Sequence, residues 1–307
     1  MRLLWIAVAA VAACSSPKPP AAPQAGPQPP AHKAAAHLVE LKIPPAQATV
    51  TLMSDGTGQK QLLRYTARPG AKQTVEVAMD FTGRQDTEEA VAPTIVLFCD
   101  ARTGAVDKDG AADYTLTVTA TDARAVAGAM RSPDELRPAL GALAGLTIAG
   151  KRGANGAAGE VTIGLDHPAD SAGDALGLIR EAFPSLPVLP TQPVGVGARW
   201  QATSAARVAD KLDVTQVTDY EVVAHDGPSW TIKGTTRVSG KDQKIDNATI
   251  SAITGAGTSE TTIADGAPYP SHKVSLETQF TASDPEAAEP GKSVQFTIKV
   301  GGSVTPR

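Results

Sequence analysis

Strict alternation of apolar and polar residues dominates the chain from Leu38 onward. In residues 114–121 the alternation covers eight positions, and threonines fill the polar side. Similar segments recur at residues 75–81, 161–166, 274–280 and 294–300. A period of two places the apolar side chains on one face of a strand, and strands with one wet face are typical of antiparallel sheets. The pattern predicts a mainly β (α+β) fold, either a long curved antiparallel sheet or a half-barrel meander.

Two short helices are expected to interrupt the strands and to pack on the apolar face of the sheet. The first opens at Ser132–Glu135, with a serine that can cap, a proline at the first helical position and a glutamate placed for a capping box. Leu136, Leu140 and Leu143 then recur at helical spacing, although Pro138 should shorten or kink this helix. The second is expected from about residue 170 to residue 183. Its apolar stripe is Leu176, Ile179 and Phe183.

Composition divides the chain into five parts. Residues 15–37 consist largely of Pro, Ala and Gln with almost no large apolar side chain, so they cannot form a core. Prolines at every third position from Pro184 to Pro193 favour an extended strap. The expected organisation is a signal peptide at 1–13, a lipidated cysteine and tether at 14–37, a β half with two helices at 38–183, a strap at 184–197 and a second β half at 198–307.

The N-terminal segment has the layout of a secretory signal. One cation, Arg2, precedes an apolar run that is too short to span a bilayer, which needs about 20 apolar residues. The run ends in Val11-Ala12-Ala13-Cys14, which resembles the lipobox of bacterial lipoproteins. The resemblance implies that Cys14 carries acyl chains, including palmitate, and anchors the chain to a membrane of the cell envelope. Ser15 follows the cysteine instead of Asp, which by the same resemblance favours delivery to the outer membrane, facing either the periplasm or the cell surface.

Cys99 is the second of the two cysteines, so a lipidated Cys14 excludes an intramolecular disulfide. It lies at the end of the apolar run 95–99, with no Lys or His nearby in sequence to stabilise a thiolate. We therefore expect a buried, inert thiol.

Three further stretches resemble the landmarks of a bacterial lipoprotein family known as a domain of unknown function. They are Leu62–Tyr65 followed by Pro69-Gly70, Gly145–Thr147 before Gly159–Val161, and Leu189–Trp200. These motifs are structural, so the resemblance implies no active site. More loosely, a long curled sheet with helices in its concave face is similar to envelope lipid carriers of the lipoprotein-localisation type.

Motifs that would carry chemistry are incomplete. Gly145–Lys151 has the spacing of a phosphate-binding loop, but Arg152 stands where a Ser or Thr must coordinate Mg²⁺. Asp107–Gly110 resembles part of a calcium loop that lacks its first and last carboxylates, so a hairpin turn is the better interpretation. The five histidines show no metal-ligand spacing, and no Gly-x-Ser-x-Gly elbow is present. We expect no metal, no cofactor and no enzymatic activity.

Charge and the predicted core leave two classes of function. A formal net charge of −4 gives no excess of basic residues for nucleic acid. Helices that pack on an apolar sheet as an ordinary core would make a tethered structural or protein-interaction module with an unknown envelope partner. Small residues between the helical leucines, such as Ala139 and Ala142, favour the alternative of a cavity that carries a lipid or another apolar ligand between sheet and helices.

Overall fold

The structure is a computed structural model of the chain, and it describes residues 38–45, 47–166, 179, 186–208, 211–283 and 293–307. Cys14, the signal segment and the tether lie outside the described residues. The second predicted helix also lies outside them, except for Ile179, which is helical and 1% exposed.

Antiparallel pairing joins fifteen strands into one sheet, in which strands from both predicted halves of the chain take part. Thirteen of them form a path in the order β1-β9-β8-β7-β6-β4-β17-β16-β15-β13-β12-β11-β2, while β5 pairs with β4 and β14 with β15. A separate pair is formed by β3 and β10. The strands are β1 (Leu38–Ile43), β2 (Ala48–Ser54), β3 (Thr57–Gln61), β4 (Lys72–Gln85), β5 (Glu88–Val91), β6 (Thr94–Val106), β7 (Ala112–Arg124), β8 (Thr147–Arg152), β9 (Ala158–Asp166), β10 (Val194–Val196), β11 (Arg199–Val208), β12 (Leu212–Asp226), β13 (Ser229–Ser239), β14 (Gln243–Ile245), β15 (Ala248–Ala264), β16 (Ser271–Ser283) and β17 (Ser293–Pro306).

The alternating segments form strands where they were predicted, and the turns between them follow their local chemistry. In the β6–β7 connection the carboxylate of Asp107 accepts the backbone N–H groups of Asp109 at 3.0 Å and Ala111 at 2.9 Å. Gly110 has φ of +80°, which a residue without a Cβ adopts at low cost. The hairpin interpretation of this loop is therefore confirmed.

Strands β1 and β2 follow each other in the chain but lie at opposite ends of the path of thirteen strands. Twelve antiparallel pairings separate β1 from β2, so the two strands run in the same direction. Five Cα steps join Ile43 to Ala48, so these residues lie within about 19 Å of each other. Pro44 and Pro45 lack the N–H needed to continue the ladder with β9, which is a local reason for β1 to end at Ile43. The two ends of the sheet therefore lie near each other, and we call the gap between them, which the connection from Ile43 to Ala48 crosses, the seam.

One helix is described, α1 (Pro133–Gly141), which begins at the predicted proline and contains Pro138. Ser132 occupies the N-cap position but its side chain makes no capping hydrogen bond, so the predicted capping box is wrong. Arg137 instead fastens the helix to β7, because its guanidinium donates to the carboxylate of Asp122 at 2.8 Å and to the carbonyl of Ala123 at 3.2 Å. The arrangement of two helices on the sheet is not borne out.

Buried apolar side chains form three clusters inside the curled sheet. The largest joins the leucines of α1, Ile179 and the inward faces of β4 and β6–β9. The second is built around Trp200, which is fully buried, and also contains Leu63 and Leu189. The third lies at the far ends of the long hairpins, where Phe280 and Phe296 stack at 5.5 Å between ring centroids.

Candidate functional site

A buried arginine enclosed by tyrosines is the most unusual chemical feature of the described residues. Arg152, at the end of β8, is 8% exposed. Its guanidinium carbon lies 5.1 Å from the ring centroid of Tyr65, 5.8 Å from that of Tyr114 and 5.5 Å from that of Tyr269. Its Nη2 donates to the carbonyl of Pro268 at 2.9 Å, whereas Nη1 has no hydrogen-bond partner among the described residues. We call these four side chains the Arg152 cage.

Rings take the place of a carboxylate around this cation. Within the described part of the chain Arg152 forms no ion pair, and each ring within about 6 Å contributes roughly 0.5–2 kcal/mol of cation–π attraction. Burial raises the pKa of both Tyr65 and Tyr269 above the ordinary value, and the positive charge of Arg152 only partly opposes that rise. The phenols are therefore neutral at pH 7, and the cage holds a net positive charge between the first and second apolar clusters.

Sequence reasoning missed the cage. It considered Arg152 only as the residue that breaks a phosphate-loop pattern, and that pattern is in fact β8, an ordinary strand. Three of the four tyrosines of the chain contribute to the cage, yet Tyr65, Tyr114 and Tyr269 are separated by tens of residues. The available signal was Arg152 itself, a charged residue at the end of an alternating strand.

The segment that contains Tyr65 and the segment 186–192 pack against each other beside the cage. The hydroxyl of Tyr65 donates to the carbonyl of Pro187 at 2.9 Å, and the N–H of Leu189 donates to the carbonyl of Asn155 at 2.7 Å. Trp200 Nε1 donates to the carbonyl of Val188 at 2.9 Å. A Cβ on Gly156 would lie 2.5 Å from both Pro187 O and Tyr65 Cε2, so this approach requires glycine. Two of the three stretches singled out in the sequence, Leu62–Tyr65 and Leu189–Trp200, thus pack together beside the cage.

A cavity of about 440 Å³ lies at the seam, beside the segment 186–192. It is bounded by the start of β2, the β8–β9 hairpin and that segment, and none of the described side chains in its lining is charged. The lining consists of Pro45, Gln47, Ala48, Val50, Asn155, Ala157, Ala158, Val188, Leu189, Thr191 and Gln192. This cavity is not the predicted one, because α1 contributes no residue to it.

Apolar side chains are exposed where strands change register near the seam. Met53 is the extra residue between two consecutive pairs of β2 with β11, and Val223 is the extra residue of β12 opposite β13. They are 68% and 39% exposed, and Val196 of β10 is 39% exposed. Bulges of this kind re-aim a side chain. Hydrogen bonds from Gly195 to Asp55 and from Gly197 to Val222 hold these segments together, so the three side chains belong to one region.

Two further titratable side chains, Cys99 and His272, are buried. Cys99 is fully buried, and burial raises the pKa of its thiol to about 12, so the prediction of a buried thiol is confirmed. His272 is 2% exposed and its Nδ1 lies 2.8 Å from Thr261 Oγ1. Burial lowers the pKa of His272 to about 4, so the ring is neutral at pH 7.

No helix in the described ranges is long and apolar enough to cross a membrane. No group of three His, Cys, Asp or Glu side chains with the geometry of a metal site occurs in the same ranges.

Comparison with known proteins yields no family. No protein-family model matches the chain, and no curated protein matches it. Among solved structures, a loop L8 deletion mutant of OmpT, an outer membrane protein of Vibrio cholerae, aligns with 9% identity over 78% of this chain and 100% of its own, with a TM-score of 0.18. The in-vitro folded trimer form of OmpT aligns with 8% identity over the same shares, with a TM-score of 0.16. Such scores carry no argument about fold or function.

Proposed function

We propose that this chain is a lipoprotein of the bacterial cell envelope, anchored to the outer membrane through Cys14, whose folded part is a non-enzymatic protein-interaction module. The lipobox supports the anchor, and residues 15–37 would serve as the tether that separates the folded part from the membrane. At about 3.1 Å per residue these 23 residues reach up to roughly 70 Å when fully extended.

The observation that carries the interaction module is the filled interior beneath α1. Leu136, Leu140 and Leu143 are 7%, 5% and 0% exposed, and they pack in one cluster with the inward side chains of the sheet. Amphipathic helices on an apolar sheet are ordinarily core. A filled interior favours a scaffold whose outer surface acts, and the exposed apolar residues at the bulges provide one such surface.

The carrier of an apolar ligand is the second candidate, and the seam cavity is the observation that favours it. Its volume falls within the range of about 300–1,000 Å³ that is typical of small-molecule sites. Its lining, however, includes three carboxamide side chains, those of Gln47, Asn155 and Gln192, to which an acyl chain offers no hydrogen bond. This chemistry favours a ligand with its own hydrogen-bonding groups.

Two measurements test the proposal. The Cys14→Ser substitution should move the protein from the membrane to the soluble pool, as measured by cell fractionation. An unchanged membrane pool would contradict the anchor. Native mass spectrometry of the purified Cys14→Ser protein, with organic extraction of bound material, should show protein without ligand. A stoichiometric extracted lipid would instead support the carrier.

A further inference from the structure

Unpaired strand edges flank the seam cavity on both sides. The pairing of β1 with β9 stops at Ile43 and Val161, so the start of β9, Ala158–Glu160, pairs only with β8 in the described part of the chain. Across the seam, β2 pairs with β11 along one edge and has no described strand on the other. Ala48 and Val50 of β2 and Ala158 of β9 line the cavity between these edges.

The backbone at such an edge presents N–H and C=O groups in a regular repeat. The prolines that carry the chain across the seam cannot supply the missing partner, because they have no N–H. A ligand that satisfies the edge must therefore offer donors and acceptors at the spacing of a strand, about 3.3 Å per residue. An acyl chain offers none, and an extended peptide offers both.

The lining also restricts the side chains of such a peptide. Small apolar side chains lie beside the carboxamides of Gln47, Asn155 and Gln192, and none of the described side chains that line the cavity is charged. A charged side chain held there would lose part of its hydration without gaining an ionic partner among the described residues, which disfavours its binding. Threonine, serine, valine or alanine would meet neither a charge nor a shortage of hydrogen-bonding groups.

The geometry points to a peptide-binding slot at the seam, in which an extended, uncharged segment of a partner protein adds to the free edge of β2. Strand addition of this kind gives affinity through main-chain hydrogen bonds and specificity through the pockets for alternate side chains. The inference rests on the proposed function as an interaction module, and it assigns to that module a binding site and a class of partner.

Fluorescence polarisation with synthetic peptides tests the slot in the purified Cys14→Ser protein. The probe is a labelled peptide of alternating threonine and valine, matched to the seven residues of β2. One control peptide has the same side chains but N-methyl groups on alternate amides, and another has glutamate in place of each threonine. The unmodified peptide should bind, and both controls should bind about tenfold more weakly or not at all.

Matched variants locate the binding. Ala158→Phe places a large side chain in the slot at an exposed position, whereas Ala120→Phe makes the same change at an exposed position of β7. Ala158→Phe should weaken peptide binding at least about tenfold, and Ala120→Phe should leave it unchanged. Gln192→Glu, which adds a carboxylate at an exposed loop position, gives a second blocking variant if Ala158→Phe unfolds. Amide hydrogen exchange at residues 48–52 should slow when the peptide is bound.

Three results would overturn the slot: no binding up to about 1 mM peptide, equal binding of the N-methylated peptide, or equal binding by Ala158→Phe and Gln192→Glu. Failure of the slot in a protein that carries no extractable lipid leaves the interaction module intact, because a partner can dock on another surface. Extracted lipid would overturn the interaction module itself, so the two failures are distinguishable.

Discussion

Leu140→Ala measures directly how completely the interior under α1 is filled. Leu140 lies inside the helix and is 5% exposed. Alanine is the best helix former, so the substitution does not weaken the helix itself. Removing three buried carbon groups costs about 2.4 kcal/mol of transfer free energy. A rigid cavity adds to this loss, and the expected decrease in the free energy of unfolding is about 3–5 kcal/mol.

The assay is equilibrium unfolding in urea, followed by the fluorescence of the buried Trp200 and Trp230 and checked by circular dichroism for coincident transitions. Leu62→Ala is the matched control, because Leu62 is 52% exposed and its truncation should cost less than about 0.5 kcal/mol. The reasoning would be refuted if Leu140→Ala lowered the free energy of unfolding by less than about 1 kcal/mol while its dependence on urea concentration stayed unchanged. It would mean that the space beneath α1 is already partly empty, and the carrier would become the better interpretation.

Three other perturbations test the buried polar groups. Arg152→Met should leave the free energy of unfolding unchanged or raise it, because loss of the cation–π attraction is offset by removal of a buried charge, and a loss above about 2 kcal/mol would contradict this balance. Burial alone would raise the pKa of Glu76, but hydrogen bonds and ion pairs from Arg124 and Arg307 lower it below the ordinary value of 4.5. The folded state therefore gains stability that is present above pH 4.5 and is lost as the pH falls through the folded pKa, and Glu76→Gln should flatten that acid limb in unfolding curves at several pH values. Cys99, whose pKa is raised to about 12, should react with a thiol reagent only after urea unfolds the protein, and rapid labelling of native Cys14→Ser protein would show that the burial is incomplete.

The strands could be predicted because their signals are local. In β4, for example, Val75, Val77 and Met79 are all fully buried, and their alternation alone indicates the face that enters the core. The same holds for α1, whose proline and leucine spacing located it to within a residue or two. The predicted capping box is absent, and Arg137 instead holds the helix in place through ion pairs with Asp134 and with Asp122 of β7. Which partner a surface side chain binds depends on the tertiary structure that brings the partners near it.

The candidate sites could not be predicted because their parts are distant in sequence. Tyr65, Tyr114 and Tyr269 meet Arg152 only after their strands and loops have been brought together, and nothing in the pattern around any one of them indicates the others. The seam is similar, since its cavity needs the ends of a path of thirteen strands to approach.

By itself the sequence determined the elements of this protein: alternating strands, hairpin turns, a short helix, a low-complexity segment and a lipobox-like motif. Each depends on interactions within a few residues, such as the period of two in a strand or the φ that a glycine permits. Only the tertiary structure decided that residues 44–47 carry the chain from one end of the sheet to the other and that a lone arginine lies among three tyrosines. These are long-range contacts, whose partners are selected by the curvature of the sheet and by the volume left inside it, and local patterns contain no information about either.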